Sequence, residues 1–201
     1  MEFSEIVELH YITPIVNLPS ILLNGILSNR LARQTRHDSV ADEDVQDRRR
    51  LVRVPTPEGS RPLHSYANLY FDARNPMMFV RRHQHNGLIV VRVGKEVMHL
   101  PGVVVTDCNA SSDHVRFGDG IRGLKIVDRG LVFAERWTSD DQFEYFRRKS
   151  ARCAEVLVPD RVPPAYINGA YCSNEDGANE LAAVGFPPTF EVTVNARLFF
   201  R

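Results

Sequence analysis

The sequence carries no surplus of charge. Its 25 Lys and Arg balance its 25 Asp and Glu, so bulk electrostatics single out neither a nucleic acid nor a membrane surface as partner. Cysteine is scarce. Cys108, Cys153 and Cys172 are odd in number, and no two stand at metal-ligand spacing. That argues against a disulfide framework and fits a reducing cytosol. No apolar run nears the roughly 20 residues that a membrane helix needs. The start, MEFSEIVELHY, has neither the basic nor the apolar region of a signal peptide. A cytoplasmic protein without a membrane partner is expected. There is no Walker loop and no Gly-x-Gly-x-x-Gly run. The seven histidines include no His-x-x-x-His pair, so no metal is expected. His83 and His85 read as exposed residues on an Arg-flanked stretch. Repeats and linker-like stretches are missing too, which points to a single domain over residues 1–201.

What is present is a series of short elements. "VELHYIT" (7–13) is β-prone and stops at Pro14. "NLPSILLNGIL" reads as a short helix, with Asn17 as cap, Pro19 in the tolerated first turn and Gly25 at the C-terminal left-handed position. A helix is expected around "DEDVQDRRRLV", and "VPTPEGSRP" is expected to be a loop because its prolines and glycine disrupt regular structure. "ANLYF" (67–71), "GLIVVRVG" (87–94), "GVVVTD" (102–107), "CAEVLV", "AYINGAY" (165–171) and "FEVTVNARLFF" (190–200) read as strands. "ARNPMMFVRRH", "TSDDQFEYFRRKSA" and "NEDGANELAAVG" read as helices, the second opened by a Ser139–Gln142 capping box. Strands and helices in no regular alternation indicate an α+β fold.

One strand contains a misfit. In "RCAEVLVPD" (152–160) alternation puts Cys153, Glu155 and Leu157 on one face. A carboxylate among apolar neighbours is costly to bury without a partner. A partner, a cleft or an edge position must account for Glu155. A second concentration lies upstream, where Arg30, Arg33, Arg36, Arg48, Arg49, Arg50 and Arg53 are interrupted by Asp38, Asp42, Glu43, Asp44 and Asp47. On a helix Arg49 projects with Val45 and Arg53, and its guanidinium can clamp a pyrophosphate or pair with Asp42 or Asp44. Tyr66 and Tyr70 offer flat faces for a nicotinamide or a nucleobase. The stretch 135–152 mixes Trp137, Tyr145, Arg147, Arg148 and Lys149, which suits either single-stranded DNA or an amphipathic surface helix.

"YITPIVNLPSILLNGIL" (11–27), "VQDRRRLVRVPTPEG" (45–59), "LHSYANLYFDARNPMMF" (63–79), "VVVTD" (103–107) and "RCAEVLVPD" together resemble the DarT family, toxins that attach ADP-ribose from NAD to bases in single-stranded DNA. The resemblance implies an ADP-ribosyltransferase fold: two packed small antiparallel sheets around an NAD cleft, with peripheral helices. It implies Glu155 and Arg49 as catalytic residues. It implies NAD contacts from Tyr11, Ile12, Thr13, Ser20, Ser28 and Arg49. The family has His before its "IT" pair; here that residue is Tyr11, and His10, one position earlier, faces the other side of the strand. The implied protein is a monomeric bacterial toxin whose partners are single-stranded DNA and a cognate antitoxin that removes ADP-ribose. RNA or protein as acceptor, or a non-catalytic module binding single-stranded nucleic acid, are the alternatives.

Overall fold

The computed structural model describes residues 1–39 and 43–201. In chain order the elements are β1 (Glu8–Pro14), α1 (Leu18–Asn24), β2 (Ile26–Leu27), α2 (Asn29–Ala32), α3 (Glu43–Leu51), β3 (Arg53–Thr56), β4 (Gly59–Pro62), β5 (Tyr66–Tyr70), α4 (Pro76–Arg81), β6 (Leu88–Gly94), β7 (Val104–Thr106), β8 (Phe117–Asp119), α5 (Arg129–Val132), α6 (Gln142–Ala151), β9 (Glu155–Pro159), β10 (Arg161–Val162), β11 (Ile167–Cys172), α7 (Glu175–Val184) and β12 (Glu191–Val194). The fold is α+β, as the irregular alternation of patterns implied.

The β-branched runs supply the sheet. Its order is β12-β11-β6-β1-β5-β9-β7-β8. Every neighbouring pair is antiparallel except β11 and β12, which run parallel. β1 and β6 pair along their whole length, from Glu8↔Gly94 to Pro14↔Leu88, and β5 and β9 pair from Tyr66↔Pro159 to Tyr70↔Glu155. Between these two halves, β1 and β5 meet through His10↔Tyr70 alone. Two packed small antiparallel sheets were expected; the strands hydrogen-bond as one eight-stranded sheet whose two halves are joined at that pair. Ala154, Val156 and Val158 turn into the main core with Leu9, Leu69, Val91 and Val105. The other face of β9 meets two smaller clusters, Cys153 in one and Leu157 in the other. Glu155 sits between them.

Several local expectations change. "VPTPEGSRP" is a hairpin: β3 and β4 pair from Arg53↔Pro62 to Thr56↔Gly59. They form a two-stranded ribbon of their own. Each strand there has a free edge, where a proline's missing N–H breaks no ladder bond. Asn17 does not cap α1 with its side chain. The cap of α6 is Asp141, which accepts from Glu144 N at 2.7 Å, while Ser139 Oγ accepts from Asp141 N. "FEVTVNARLFF" stops being a strand at Val194 and continues as a 3₁₀ turn over Ala196–Phe199. His85 is tied down, with Nδ1 2.8 Å from Ser173 Oγ. Gly25, with φ +81°, is required where α1 ends, because a Cβ there would lie 2.0 Å from the Val162 carbonyl oxygen.

Candidate active site

Glu155 begins β9 directly after α6, and the junction is pinned. Arg152 is buried and donates to the carbonyls of Val132 and Arg74 and to Asp72 Oδ2. Glu155 N donates to Thr106 Oγ1 at 3.0 Å on neighbouring β7. These bonds fix the backbone, so the direction of the Glu155 side chain follows from strand alternation. The carboxyl group is 0 % exposed.

Its partner is Arg49. Helix α3 has Glu43 and Asp44 in its first turn and Arg48, Arg49 and Arg50 in its last, the order that suits the helix dipole. Of the three arginines, Arg49 turns inward and is buried. Nη1 donates to Glu155 Oε1 at 2.8 Å and Nη2 to Oε2 at 2.9 Å, a two-pronged pair. Ala110 N adds a bond to Oε1 at 3.0 Å. Burial would lower the Arg49 pKa, but the Glu155 carboxylate outweighs it and holds the guanidinium above its ordinary value. Asp44 is not this arginine's partner, and Asp42 lies outside the described residues. Arg53 no longer shares a helix face with Arg49, since α3 ends at Leu51 and Arg53 opens β3.

Arg49 forms part of the wall of a cavity of about 520 Å³, within the range of ligand pockets. Tyr11, Ile12 and Thr13 of β1 line it, with Tyr66, Asn68 and Tyr70 from one face of β5. Glu155 stands directly behind the Arg49 guanidinium, opposite Tyr70 in the β5–β9 register. Burial, then the charge of Glu155, raises the Tyr70 phenol well above its ordinary pKa. Cys153 also faces the cavity, but burial and Glu155 push its thiol up to about 12. A thiol so reluctant to ionise is a packing residue.

The remaining expected contacts divide. Ser20 and Ser28 are not among the residues lining the cavity, although Leu27 and Asn29, on either side of Ser28, are. Ser28 Oγ caps α2 by accepting from Leu31 N, and Ser20 Oγ accepts from Asn24 Nδ2 at 3.3 Å. His10 points away from Tyr11, towards Glu8, as alternation required. Trp137 is buried edge-to-face between Phe79 and Phe200 and is not available to stack on a base. On α6, Phe143 and Phe146 are exposed instead, and Phe146 and Lys149 reach the cavity. Asn68 was missed, although its place between Tyr66 and Tyr70 on one strand face was the signal for it. Among the described residues no group of three His, Cys, Asp or Glu side chains stands at metal-holding distance, and no helix is long and apolar enough to cross a membrane.

With this geometry in place, known proteins give a consistent likeness. A family described as "ssDNA thymidine ADP-ribosyltransferase, DarT" matches residues 10–199. The chain is 33% identical over 181 residues to the DNA ADP-ribosyl transferase-DNA ADP-ribosyl glycohydrolase fusion protein of Thermosipho africanus (strain H17ap60334), covering 87% of this chain and 44% of that protein. The chain thus spans less than half the length of the fusion. It is 28% identical over 177 residues to the DNA ADP-ribosyl transferase of Thermus sp. (strain 2.9), covering 82% and 80% of the two chains. The solved structure of Thermus sp. 2.9 DarT in complex with ADP-ribosylated ssDNA superposes with a TM-score of 0.84 at 22% identity, over 99% of both chains. The fold is the same.

Proposed function

Because the chain belongs to the DarT family, we propose that it is an NAD-dependent mono-ADP-ribosyltransferase that moves ADP-ribose to a thymidine base in single-stranded DNA and releases nicotinamide. The observation that carries this reading is the Arg49–Glu155 pair, buried at the wall of a cavity of dinucleotide size. The family match from residue 10 to residue 199 supports it. The whole described chain is read as one transferase domain, bacterial and cytoplasmic, acting as a monomer.

The chemistry follows from charge. Cleavage of the nicotinamide glycosidic bond builds positive charge on the ribose, and a fixed anion stabilises that charge more in the transition state than in the ground state. Glu155 supplies the anion. A carboxylate has about four lone-pair sites. Three are occupied here, by both Arg49 nitrogens and Ala110 N. One acceptor site on Oε2 is left for a ribose hydroxyl. Arg49 screens the carboxylate from the cavity, so the incoming diphosphate has a second task. It offers the guanidinium another anion, and sharing Arg49 exposes the carboxylate to the sugar. Tyr11, Ile12 and Thr13 hold the nicotinamide end through β1, with Tyr11 in the family's His position. Ser20 and Ser28 contribute beside α1 and α2 once the ligand is in place. Arg49 also orients the acceptor base, whose nitrogen gives up its proton to water as the new glycosidic bond forms.

The exposed Phe143 and Phe146, with Lys149 beside them, give single-stranded DNA an apolar stacking face and a cation at the cavity mouth. The fusion protein of Thermosipho africanus carries in its name both a transferase and a glycohydrolase. A separate ADP-ribose-removing antitoxin is accordingly the expected partner. Glu155→Ala tests the reading: an oligonucleotide incubated with NAD and the intact protein gains one ADP-ribose, and with the variant gains none. Binding of the oligonucleotide without modification by the intact protein would overturn it.

A further inference from the structure

Asn17 stands where a helix cap belongs, yet its side chain is turned elsewhere. It is 9 % exposed and lies in the 3₁₀ turn Ile15–Asn17 between β1 and α1. Nδ2 donates to Thr13 Oγ1 at 2.9 Å and to the Asp38 carbonyl at 2.7 Å. Oδ1 accepts from Asp38 N at 3.0 Å. The amide therefore pairs with both backbone groups of Asp38 as a neighbouring strand would, and fastens them to a side chain of β1. The two ends of this bridge matter. Thr13 lines the cavity, and so do His37, Asp38 and Ser39. A residue that forgoes its local structural role is expected where a site imposes another.

We propose that Asn17 is a positioning residue that sets the spacing between the nicotinamide-binding strand β1 and the adjoining cavity wall at 37–39. It acts through Thr13 and Asp38 and touches no reacting atom. The proposal rests on the reading of the cavity as an NAD site. When Asn17 is intact the wall is already in place and NAD meets an ordered pocket. When it is lost, NAD must order the wall on binding, and affinity falls by the population of the ordered state. The step after binding is unchanged, since Glu155 and Arg49 are held by other elements.

The test is Asn17→Ala and the isosteric Asn17→Leu, measured for NAD binding by calorimetry and for nicotinamide release with a thymidine-containing oligonucleotide. Both variants are expected to raise the Kd and KM for NAD about tenfold while kcat stays within about threefold. A residue needed only for folding would lower the active fraction, and so the maximal rate, with KM unchanged; that result overturns the proposal. Should neither variant fold, hydrogen exchange on the intact protein decides. The Asp38 amide is expected to be protected without NAD, and exchange at the rate of an open chain overturns the proposal. Intact protein that binds NAD but leaves DNA unmodified removes the DNA reading alone, because the effect of Asn17 on NAD affinity is read separately.

Discussion

Replacing Glu155 by Gln keeps the shape of the side chain and removes its charge, which separates what the carboxylate does for the fold from what it does for the reaction. In the native structure Oε1 accepts from Arg49 Nη1 at 2.8 Å and from Ala110 N at 3.0 Å, and Oε2 accepts from Arg49 Nη2 at 2.9 Å. A Gln amide keeps one acceptor oxygen and turns a pair of donors towards other donors. The Arg49 side chain, only 7% exposed, is left as a buried cation without its anion. Breaking one side of such a pair costs about 3–5 kcal/mol. For a chain of this size each kcal/mol moves the melting temperature by about 2–4 °C, so a fall of about 6–20 °C is expected. The rate should fall at least about 10²-fold, the usual loss when one group stabilising transition-state charge is removed. Replacing both partners by Met, Arg49→Met with Glu155→Met, leaves no stranded cation, and an apolar pair of similar volume is often as stable as the ion pair it replaces. The double variant should therefore regain most of the lost stability and none of the activity. Thermal unfolding followed by circular dichroism, with nicotinamide release measured below both transitions, reads the two effects. A single variant that melts with the wild type, or a double variant no more stable than the single one, would refute the reasoning.

Other consequences are independent of that pair. Glu8 is half-buried, which alone would raise its pKa, but bonds with His10, Tyr171 and Arg92 bring it from 4.5 down to about 2. Its stabilising contribution is complete above the unfolded value and is lost as pH falls through about 2. Glu8→Gln should thus cost about 2–3 kcal/mol at neutral pH in denaturant unfolding, a difference that shrinks steadily below about pH 4.5. Cys153, with its thiol near pKa 12, is roughly 10⁻⁴ ionised at pH 8 and should resist thiol reagents until the protein unfolds. Phe146→Ala should weaken binding to a single-stranded oligonucleotide by about 1–3 kcal/mol, and Lys149→Gln should reduce the salt slope by about 0.7. Trp137→Ala, by contrast, should cost about 3–5 kcal/mol of stability because that ring is packed.

Much of this architecture was legible because short-range patterns matched the final environment. The run Leu88–Gly94 is β-branched and buried on both faces, so composition alone identified it. Alternation in "CAEVLV" put Glu155 on the face where the structure has it, and its misfit among apolar neighbours was the visible sign of a paired charge. What alternation does not encode is the partner. Arg49 is 106 residues away in sequence, and only the packing of α3 against the sheet joins the two; the partners in local reach were Asp42 and Asp44. The hairpin at β3 and β4 was missed because proline argues against strands in general, whereas a two-stranded ribbon has edges that tolerate it. Asn17 was read as a cap because its type and position fit one, but tertiary bonds to Thr13 and Asp38 prevailed. Trp137 resembled a stacking residue in composition, and its burial between Phe79 and Phe200 depends on α4 and the C-terminal turn, which no local window contains.

The most direct test of the whole account is the mass of a thymidine-containing single-stranded oligonucleotide after incubation with the protein and NAD. One ADP-ribose increment is expected, matched by released nicotinamide, absent when thymidine is replaced by other bases and absent with Glu155→Ala. An unmodified oligonucleotide, or an increment that persists without the Glu155 carboxylate, would contradict it.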